Sequence, residues 1–256
     1  MKLIFMRHGE ARDNVEHVFS SDNLSCSLLT RDGIQKVQEN ASKLGRIDKV
    51  YYSPIFRTVQ TANLVREYMP SVEFVADDRI CEIDYGTYNQ KKNDSILDDV
   101  RRRQKNGDFF VRFGKYGENK FEIYNRLLNF LEDLENENFA NNNILIVSHG
   151  NIISSLMRIL NIKSAHLNKG EFICIDKVDF NEARRTRNEL IKITQEHINY
   201  REYIVSRVNH SRSKDYLSLV ASRRYNDINF SNMVLTELCE GFNDDLRIVF
   251  STNGGA

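Results

Sequence analysis

Two histidines in this sequence stand one residue beyond short apolar runs, and each is followed by a glycine. His8 comes after the run at 3–6, and His149 comes after the run at 144–147. A short apolar run between polar segments is typical of a buried strand. In an open parallel sheet, ligands bind just beyond the carboxyl ends of the strands. If the two strands are parallel neighbours, the histidines converge at one edge of the sheet.

Arginines supply positive charge near this point. Arg7 precedes His8, and Arg57 lies one turn into a helix that we expect to begin at Ser53-Pro54, with Ser53 as its N-cap. Helical side chains lean toward the amino end, so the Arg57 guanidinium can join the helix terminus in holding an anion. Two arginines and two histidines around one point suit a phosphoryl group, because planar guanidinium donors match its oxygens.

Phosphoryl chemistry also needs a nucleophile and a source of protons. A neutral histidine nitrogen can attack phosphorus and form a phosphohistidine that water later cleaves. The departing alkoxide needs a proton, which a carboxylic acid with a raised pKa can supply. The segment 79–86 offers Glu82 or Asp84 for this role. No metal-ligand spacing accompanies these residues, so we expect neither a metal nor a cofactor.

The order of the predicted elements favours an α/β fold. Strands are predicted at 3–6, 50–52, 72–75, 144–147 and 172–178. Helices are predicted at 30–44, from 53 onward, and at 97–104, 119–134, 151–160 and 181–200. Asn119 and Glu122 have the spacing of a capping box at the start of one of these helices. The alternation predicts three α/β/α layers around a mostly parallel central sheet.

Composition limits the classes of function. The 256 residues carry 36 basic and 36 acidic side chains, so no net charge favours nucleic acid or an anionic membrane. No apolar stretch approaches the roughly 20 residues of a membrane span, and the apolar segment at the start is too short for a signal peptide. The cysteines are scattered, which suits a reducing compartment. We expect a cytoplasmic protein that binds a small phosphorylated substrate, not nucleic acid and not a membrane.

The residues that could take part in this chemistry fall in six segments of the chain: RHGEARDN, LLTRDGIQ, YYSPIFRTVQTA, DDRICEIDYG, YGENKFEIYNRL and IVSHGN. Together, and in this order, they resemble the histidine phosphatase superfamily, also called phosphoglycerate-mutase-like proteins. The resemblance covers residues 1–178 and implies a phosphoglycerate-mutase-like domain there. Residues 179–256 match no motif of the family, so we expect a C-terminal extension. It would cover a sheet edge, shape the mouth of the site or build an interface such as that of a homodimer.

The resemblance implies a role for each residue that matches a family motif. His8 corresponds to the phosphorylated nucleophile, and Glu82 corresponds to the acid that protonates the leaving oxygen. Arg7, Arg57 and His149 correspond to the phosphate pocket. The resemblance therefore implies that these five residues form the catalytic centre.

Four further residues have weaker matches. Asn14 corresponds to a polar contact near the transferred group, and Glu118 to the glutamate of the family's Gly-Glu-Ser element near the pocket. Asp84 stands where the family often has a non-catalytic residue, which favours a structural or supporting role. Glu10 is expected either to assist the chemistry or to lie in a surface turn.

The stretch between Glu82 and His149 bears on which activity of the family is present. Phosphoglycerate mutases carry a long insertion there, and its shortness in this chain favours a phosphatase. The segment 107–118 is similar to an element of plant and fungal phosphoglycerate-mutase-like proteins that behave as broad phosphatases. Within it, Arg112 is either a substrate-side cation or part of a structural salt bridge. The arginines at 101–103 either contact a second anionic group or form a solvated helix face.

We therefore expect a phosphomonoester hydrolase of the histidine acid type that releases inorganic phosphate. Two alternatives remain open. One is a bisphosphate-dependent mutase of the phosphoglycerate type. The other is a non-enzymatic scaffold that binds a phosphate ligand and docks a partner through residues 179–256.

Overall fold

Within the described part of the chain, five strands form one sheet. The computed structural model describes residues 1–23, 26–92, 97–106, 108–137, 142–163 and 167–210. The strands are β1 (Lys2–Arg7), β2 (Lys49–Tyr52), β3 (Glu73–Ala76), β4 (Asn143–Ser148) and β5 (Phe172–Ile175). The helices are α1 (Arg12–Glu16), α2 (Arg31–Ala41), α3 (Phe56–Arg66), α4 (Asp98–Lys105), α5 (Lys120–Asn136), α6 (Gly150–Ile159) and α7 (Asn181–His210).

The order of the strands brings the two histidines together. The strands lie in the order β3-β2-β4-β1-β5, and each neighbouring pair is parallel except β1 with β5. In the register of β1 and β4, Arg7 lies opposite Ser148. His8 and His149 therefore leave neighbouring parallel strands at the same edge of the sheet. The predicted α/β fold with a mostly parallel sheet is confirmed.

Alternate side chains of the central strands fill two apolar layers. On β1, Leu3 and Phe5 pack in the cluster that contains α5 and α6. Ile4 and Met6 pack on the other face, in the cluster that contains residues of α2 and α3. All four side chains are at most 2% exposed. Because helices cover both faces of the sheet, its central strands are apolar without interruption, and the three-layer prediction is confirmed.

Two predicted helix starts have different outcomes. Asn119 and Glu122 form the predicted capping box, in which each side chain accepts a hydrogen bond from the backbone N–H of the other residue. Ser53 is not the N-cap of α3, which begins at Phe56. The Ser53 hydroxyl lies 2.9 Å from Nε2 of His149 instead. That prediction is wrong because the helix begins two residues later than expected; the Ser53 hydroxyl accepts from the N–H of the N-cap residue Ile55, at 3.4 Å, and also contacts the distant His149.

Other element boundaries differ from the predictions by a few residues. The helix α2 ends at Ala41 rather than near 44, and β5 ends at Ile175 rather than at 178. The sequence did not predict α1, which has only five residues and thus too few positions to show a helical period. These differences leave the order of the main elements unchanged.

The long helix α7 shares the core of the preceding domain over its first half. Ala183 and Leu190 are buried in the same apolar cluster as α5 and α6. Arg187 donates hydrogen bonds to side chains of α5. The division of the chain after residue 178 stays a prediction, and residues 211–256 of the predicted extension lie outside the described ranges. Neither α7 nor any other helix in the described ranges is long and apolar enough to cross a membrane.

Two neighbouring residues of α7 provide a test of this packing. Leu190 is 3% exposed and Ile191 is 60% exposed. Leu190→Ala should lower the free energy of unfolding by about 2–4 kcal/mol, because it leaves a cavity in the core. Ile191→Ala should change it by less than about 0.5 kcal/mol. Urea unfolding of the full chain measures both, and equal effects would contradict the packing of α7 on α5.

Candidate active site

The two histidines lie side by side in the interior at the carboxyl edge of the sheet. His8 follows β1 and is 2% exposed, and His149 follows β4 and is fully buried. Their ring centroids are 5.2 Å apart, and the ring planes are tilted by 59°. The structure thus brings together the two strand-end histidines that the sequence placed at one edge.

The main chain around His8 is bound from both sides. Its N–H donates to the carbonyl of Ser148 at the end of β4, at 3.0 Å. Its carbonyl accepts from the N–H of Gly170, which precedes β5, at 2.9 Å. The N–H of Gly9 donates to Oγ1 of Thr61 in α3, at 3.1 Å. The end of β4, the segment before β5 and the helix α3 therefore fix the backbone that carries the imidazole.

One guanidinium joins both rings. Arg57 lies in the first turn of α3, and its Nε donates to Nε2 of His8 at 3.2 Å. Its Nη2 donates to Nδ1 of His149 at 3.0 Å and to the carbonyl of Ser20 at 2.8 Å. Its Nη1 lies 3.2 Å from Oδ2 of Asp13, and the two side chains of this ion pair are 3% and 4% exposed. Arg57 thus bridges the histidines and is itself neutralised by a buried carboxylate.

These contacts fix which nitrogen of each ring carries the proton, because arginine only donates hydrogen bonds. In His8 the acceptor is Nε2, so Nδ1 carries the proton and donates to the carbonyl of Gly9 at 2.7 Å. In His149 the acceptor is Nδ1, so Nε2 carries the proton and donates to Oγ of Ser53 at 2.9 Å. The Ser53 hydroxyl donates in turn to Sγ of Cys81 at 3.5 Å. Each ring is neutral and directs its lone pair toward the same guanidinium.

Burial sets the protonation of the ionisable groups at this edge. It lowers the pKa of His8 and of His149 well below the usual 6.5, and the charge of Arg57 lowers both pKa values further. Burial also raises the pKa of Glu82 above the usual 4.5, although nearby arginines, Arg57 first among them, oppose the shift. The environment therefore favours the neutral forms of both histidines and of the Glu82 carboxyl.

Glu82 lies in the wall of a cleft of about 310 Å³. We call this the acidic cleft, and it is lined by Ser21, Asp22, Asp78, Cys81, Glu82, Asp84, Glu118 and Arg126. The backbone around Glu82 belongs to no strand or helix and runs between two 3₁₀ turns, Asp78–Ile80 and Gly86–Tyr88. The hydrogen bonds from Cys81 through Ser53 connect the cleft to the buried His149.

Arg7 packs on the first residue of α6. Its Nη1 donates to the carbonyl of Leu167 at 3.0 Å, and its buried Nε has no hydrogen-bond partner among the described residues. A Cβ atom on Gly150 would lie 3.1 Å from Cζ of Arg7, so the glycine gives the guanidinium room beside the helix start. Buried donors without partners are rare. Arg7 therefore retains a donor for a ligand.

Two of the predicted site residues make hydrogen bonds with the protein itself in this structure. The side chain of Asn14 accepts from the N–H of Ala11 at 3.1 Å, within the first turn of α1. Arg112 donates to both carboxylate oxygens of Glu122, at 2.6 and 2.8 Å. This is the structural salt bridge that the sequence left open as one of the two roles of Arg112. The contacts of both residues are with the protein itself.

The other candidates lie at the surface or in the acidic cleft. Glu118 lines the cleft together with Glu82, and its carboxylate pairs with an arginine of α5. Asp84 is exposed in the same wall. Glu10 pairs with a lysine that precedes β5. The arginines at 101–103 pair with aspartates in and just after α4, as expected of a solvated helix face.

The sequence reasoning missed three side chains that complete the arrangement. They are Asp13, Ser53 and Arg126. Asp13 lies inside the segment RHGEARDN. An acidic residue so close in sequence to the predicted cationic pocket could have indicated an ion pair with one of its arginines. Ser53 carried the stronger signal of a helix cap. Arg126 lies in the segment YGENKFEIYNRL with its partner Glu118, but its other partners, the carbonyls of Arg79 and Glu82, are more than 40 residues away and no local pattern indicates them.

Solved structures of at least three other proteins share this fold. A putative alpha-ribazole-5'-P phosphatase from Escherichia coli K-12 has 24% sequence identity and a TM-score of 0.57, and the match covers 68% of this chain and 89% of that chain. The alpha-ribazole phosphatase from Shigella flexneri has 23% identity and a TM-score of 0.57, with 69% of this chain and 90% of that chain covered. TTHB049 from Thermus thermophilus has 20% identity and a TM-score of 0.55, with 69% of this chain and 94% of that chain covered. A comparison with curated proteins finds no match.

A family model gives the wider assignment. The model described as histidine phosphatase superfamily, branch 1, matches residues 3–192. The match begins in β1, includes both strand-end histidines and ends within α7. The chain therefore belongs to branch 1 of the histidine phosphatase superfamily, whose members are phosphatases or mutases.

Proposed function

We propose that this protein is a phosphomonoester hydrolase that forms a phosphohistidine on His8 and releases inorganic phosphate from a small metabolite. The observation that carries the proposal is the pair of buried neutral rings held by Arg57 at the carboxyl edge of the sheet. A neutral imidazole with a defined lone pair can act as a nucleophile. Glu82, with its raised pKa, supplies the acid in the adjoining cleft.

In the first step, the Nε2 lone pair of His8 attacks phosphorus, and the bond between phosphorus and the ester oxygen breaks. The Glu82 carboxyl gives its proton to that oxygen, so the alcohol leaves as a neutral molecule. Arg57 transfers its Nε hydrogen bond from His8 to a phosphoryl oxygen, and Arg7 adds the Nε donor that has no partner among the described residues. Both guanidinium groups then stabilise the charge of the transferring group.

In the second step, water attacks the phosphorus of the phosphohistidine. The carboxylate of Glu82 takes a proton from this water, and the bond between phosphorus and Nε2 of His8 breaks. Inorganic phosphate leaves, the ring is neutral again, and Glu82 is protonated for the next cycle.

The charge of the acidic cleft bears on the choice between hydrolysis and transfer from a bisphosphate. Its lining includes five carboxyl-bearing side chains and one arginine. A second phosphate on the substrate would lie beside like charges, which is unfavourable. A neutral polyol or a cationic alcohol is compatible with this wall. The wall beside Glu82 therefore favours a substrate that carries no second phosphate on this side.

Replacing His8 with alanine should reduce phosphate release to background, because the phosphoryl acceptor is removed. Release from a panel of phosphomonoesters is measured at mildly acidic and neutral pH. The control is His17→Asn, since His17 is exposed and asparagine tolerates its φ of 55°. Activity that requires a bisphosphate primer would favour the mutase. Equal inertness of the wild type and His8→Ala would contradict the enzyme.

Replacing Glu82 with glutamine should slow alkyl phosphates by about 100-fold or more and aryl phosphates only a few-fold, because aryl oxides leave without full protonation. For the wild type, kcat/KM should fall as pH rises through the raised pKa of Glu82, and this limb should be missing in Glu82→Gln. Asp84→Asn is the comparison in the same cleft. A larger selective loss in Asp84→Asn would move the acid role to Asp84.

The ring protonation can be observed directly in the free protein. At about pH 6, where an ordinary histidine is largely protonated, His8 should remain the neutral Nδ1–H form and His149 the neutral Nε2–H form. Long-range ¹H–¹⁵N spectra distinguish these states, and the spectrum of His8→Ala identifies the His8 signals. An imidazolium pattern for either ring would contradict the hydrogen bonds that Arg57 donates.

A further inference from the structure

We propose that Arg126 and Glu118 form a positioning pair that holds the proposed acid, Glu82, in its reactive place. This inference rests on the proposed function, in which Glu82 protonates the leaving oxygen. It changes the expected role of Glu118 from a substrate contact to a support of the acid. It also gives a role to Arg126, which no motif singled out.

The pair is a two-pronged ion pair inside the wall of the acidic cleft. Arg126 Nε donates to Oε1 of Glu118 at 2.7 Å, and Arg126 Nη2 donates to Oε2 at 2.9 Å. The two side chains are 18% and 20% exposed. A bidentate, largely buried pair of this kind has one geometry, because the planar fork of arginine matches the carboxylate. It is therefore a rigid support.

The pair binds the backbone on both sides of the acid. Arg126 donates to the carbonyl of Arg79 and, at 3.4 Å, to the carbonyl of Glu82 itself. Glu118 accepts from the N–H of Asp84 through its carboxylate, and its own N–H donates to the carbonyl of Asp84, both at 2.9 Å. The backbone between the two 3₁₀ turns has no hydrogen bonds of a strand or a helix to hold it. The hydrogen bonds from Arg126 and Glu118 hold it instead.

The support is fixed in turn to the core. Arg126 lies in the second turn of α5, whose neighbouring residues Ile123 and Leu127 are at most 3% exposed. The capping box at Asn119 fixes the start of that helix directly after Glu118. The position of the acid thus depends on the packing of α5 against the sheet. A displacement of about 1 Å can cost on the order of 100-fold in rate, so this support affects catalysis directly.

The charge of Arg126 has a separate effect. Burial raises the pKa of Glu82, and the positive charge of Arg126 is one of the influences that lower it. Removing that charge should therefore raise the pKa of Glu82 further. The limb on which kcat/KM falls with rising pH should move to higher pH in Arg126→Met and stay near its original position in Arg126→Lys, which keeps the charge.

The test compares Arg126→Met, Arg126→Lys and Glu118→Gln with the wild type on alkyl and aryl phosphates. Arg126→Met should lower kcat roughly 10- to 100-fold for alkyl phosphates and only a few-fold for aryl phosphates, with KM within about twofold. Arg126→Lys should recover part of the loss. The double variant that combines Arg126→Met with Glu82→Gln should hydrolyse alkyl phosphates no more slowly than Glu82→Gln alone. The matched control is Arg187→Met, which removes another arginine bound to α5 but outside the cleft and should leave the rates unchanged.

Each result has a defined meaning. Equal losses for both classes of ester, or a raised KM with unchanged kcat, would overturn the positioning role, and the raised KM would make Arg126 a substrate contact. If Arg126→Met does not fold, Glu118→Gln and Arg126→Lys carry the same leaving-group comparison. His8→Ala and Glu82→Gln in the same assay distinguish a failure of the positioning pair from a failure of the proposed function. A selective loss in Glu82→Gln without one in the Arg126 and Glu118 variants rejects the pair alone, whereas activity in His8→Ala rejects the proposed function.

Discussion

The site depends on one buried cation. Removing a guanidinium from water is costly unless its hydrogen bonds and charge are satisfied. Arg57 meets this requirement with the carboxylate of Asp13, the carbonyl of Ser20 and one nitrogen of each histidine. Because a guanidinium can only donate, both rings must accept. The same contacts that stabilise the buried charge therefore keep the rings neutral and set their orientation.

The sheet makes this arrangement possible. Neighbouring parallel strands end at the same level, so one residue after β1 and one after β4 meet without any special loop. The helix α3 follows β2 on the other side of β4, and its first turn brings Arg57 to the same point. Apolar side chains on both faces hold these three elements in register. The two histidines and Arg57 are thus placed by the core.

The parts of this site that the sequence predicted are those with local signals. An apolar run followed by His-Gly indicates a strand end, and the alternation of strands and helices indicates parallel neighbours. The convergence of His8 and His149 follows from these two facts. The fold class follows in the same way, because helices on both faces require apolar central strands. Only the family resemblance singled out Glu82 over Asp84.

The parts that the sequence did not predict depend on contacts between distant residues. Ser53 has the local pattern of a helix cap, yet His149 holds its hydroxyl. The sequence left two roles open for Arg112, and only the fold shows that Glu122 holds its guanidinium. Short-range patterns state what a side chain is able to do. The folded chain decides which of several partners it meets.

The main-chain hydrogen bonds around His8 have a consequence for protein engineering. None of the bonds from Ser148 and Gly170 involves the imidazole. The side chain at position 8 can therefore be exchanged without loss of these main-chain bonds, but the hydrogen bond from Arg57 Nε needs a new acceptor. A replacement nucleophile that places an acceptor where Nε2 lies would keep both the backbone bonds and the contact with Arg57, so its reactivity toward phosphorus could be compared with that of histidine on the same scaffold.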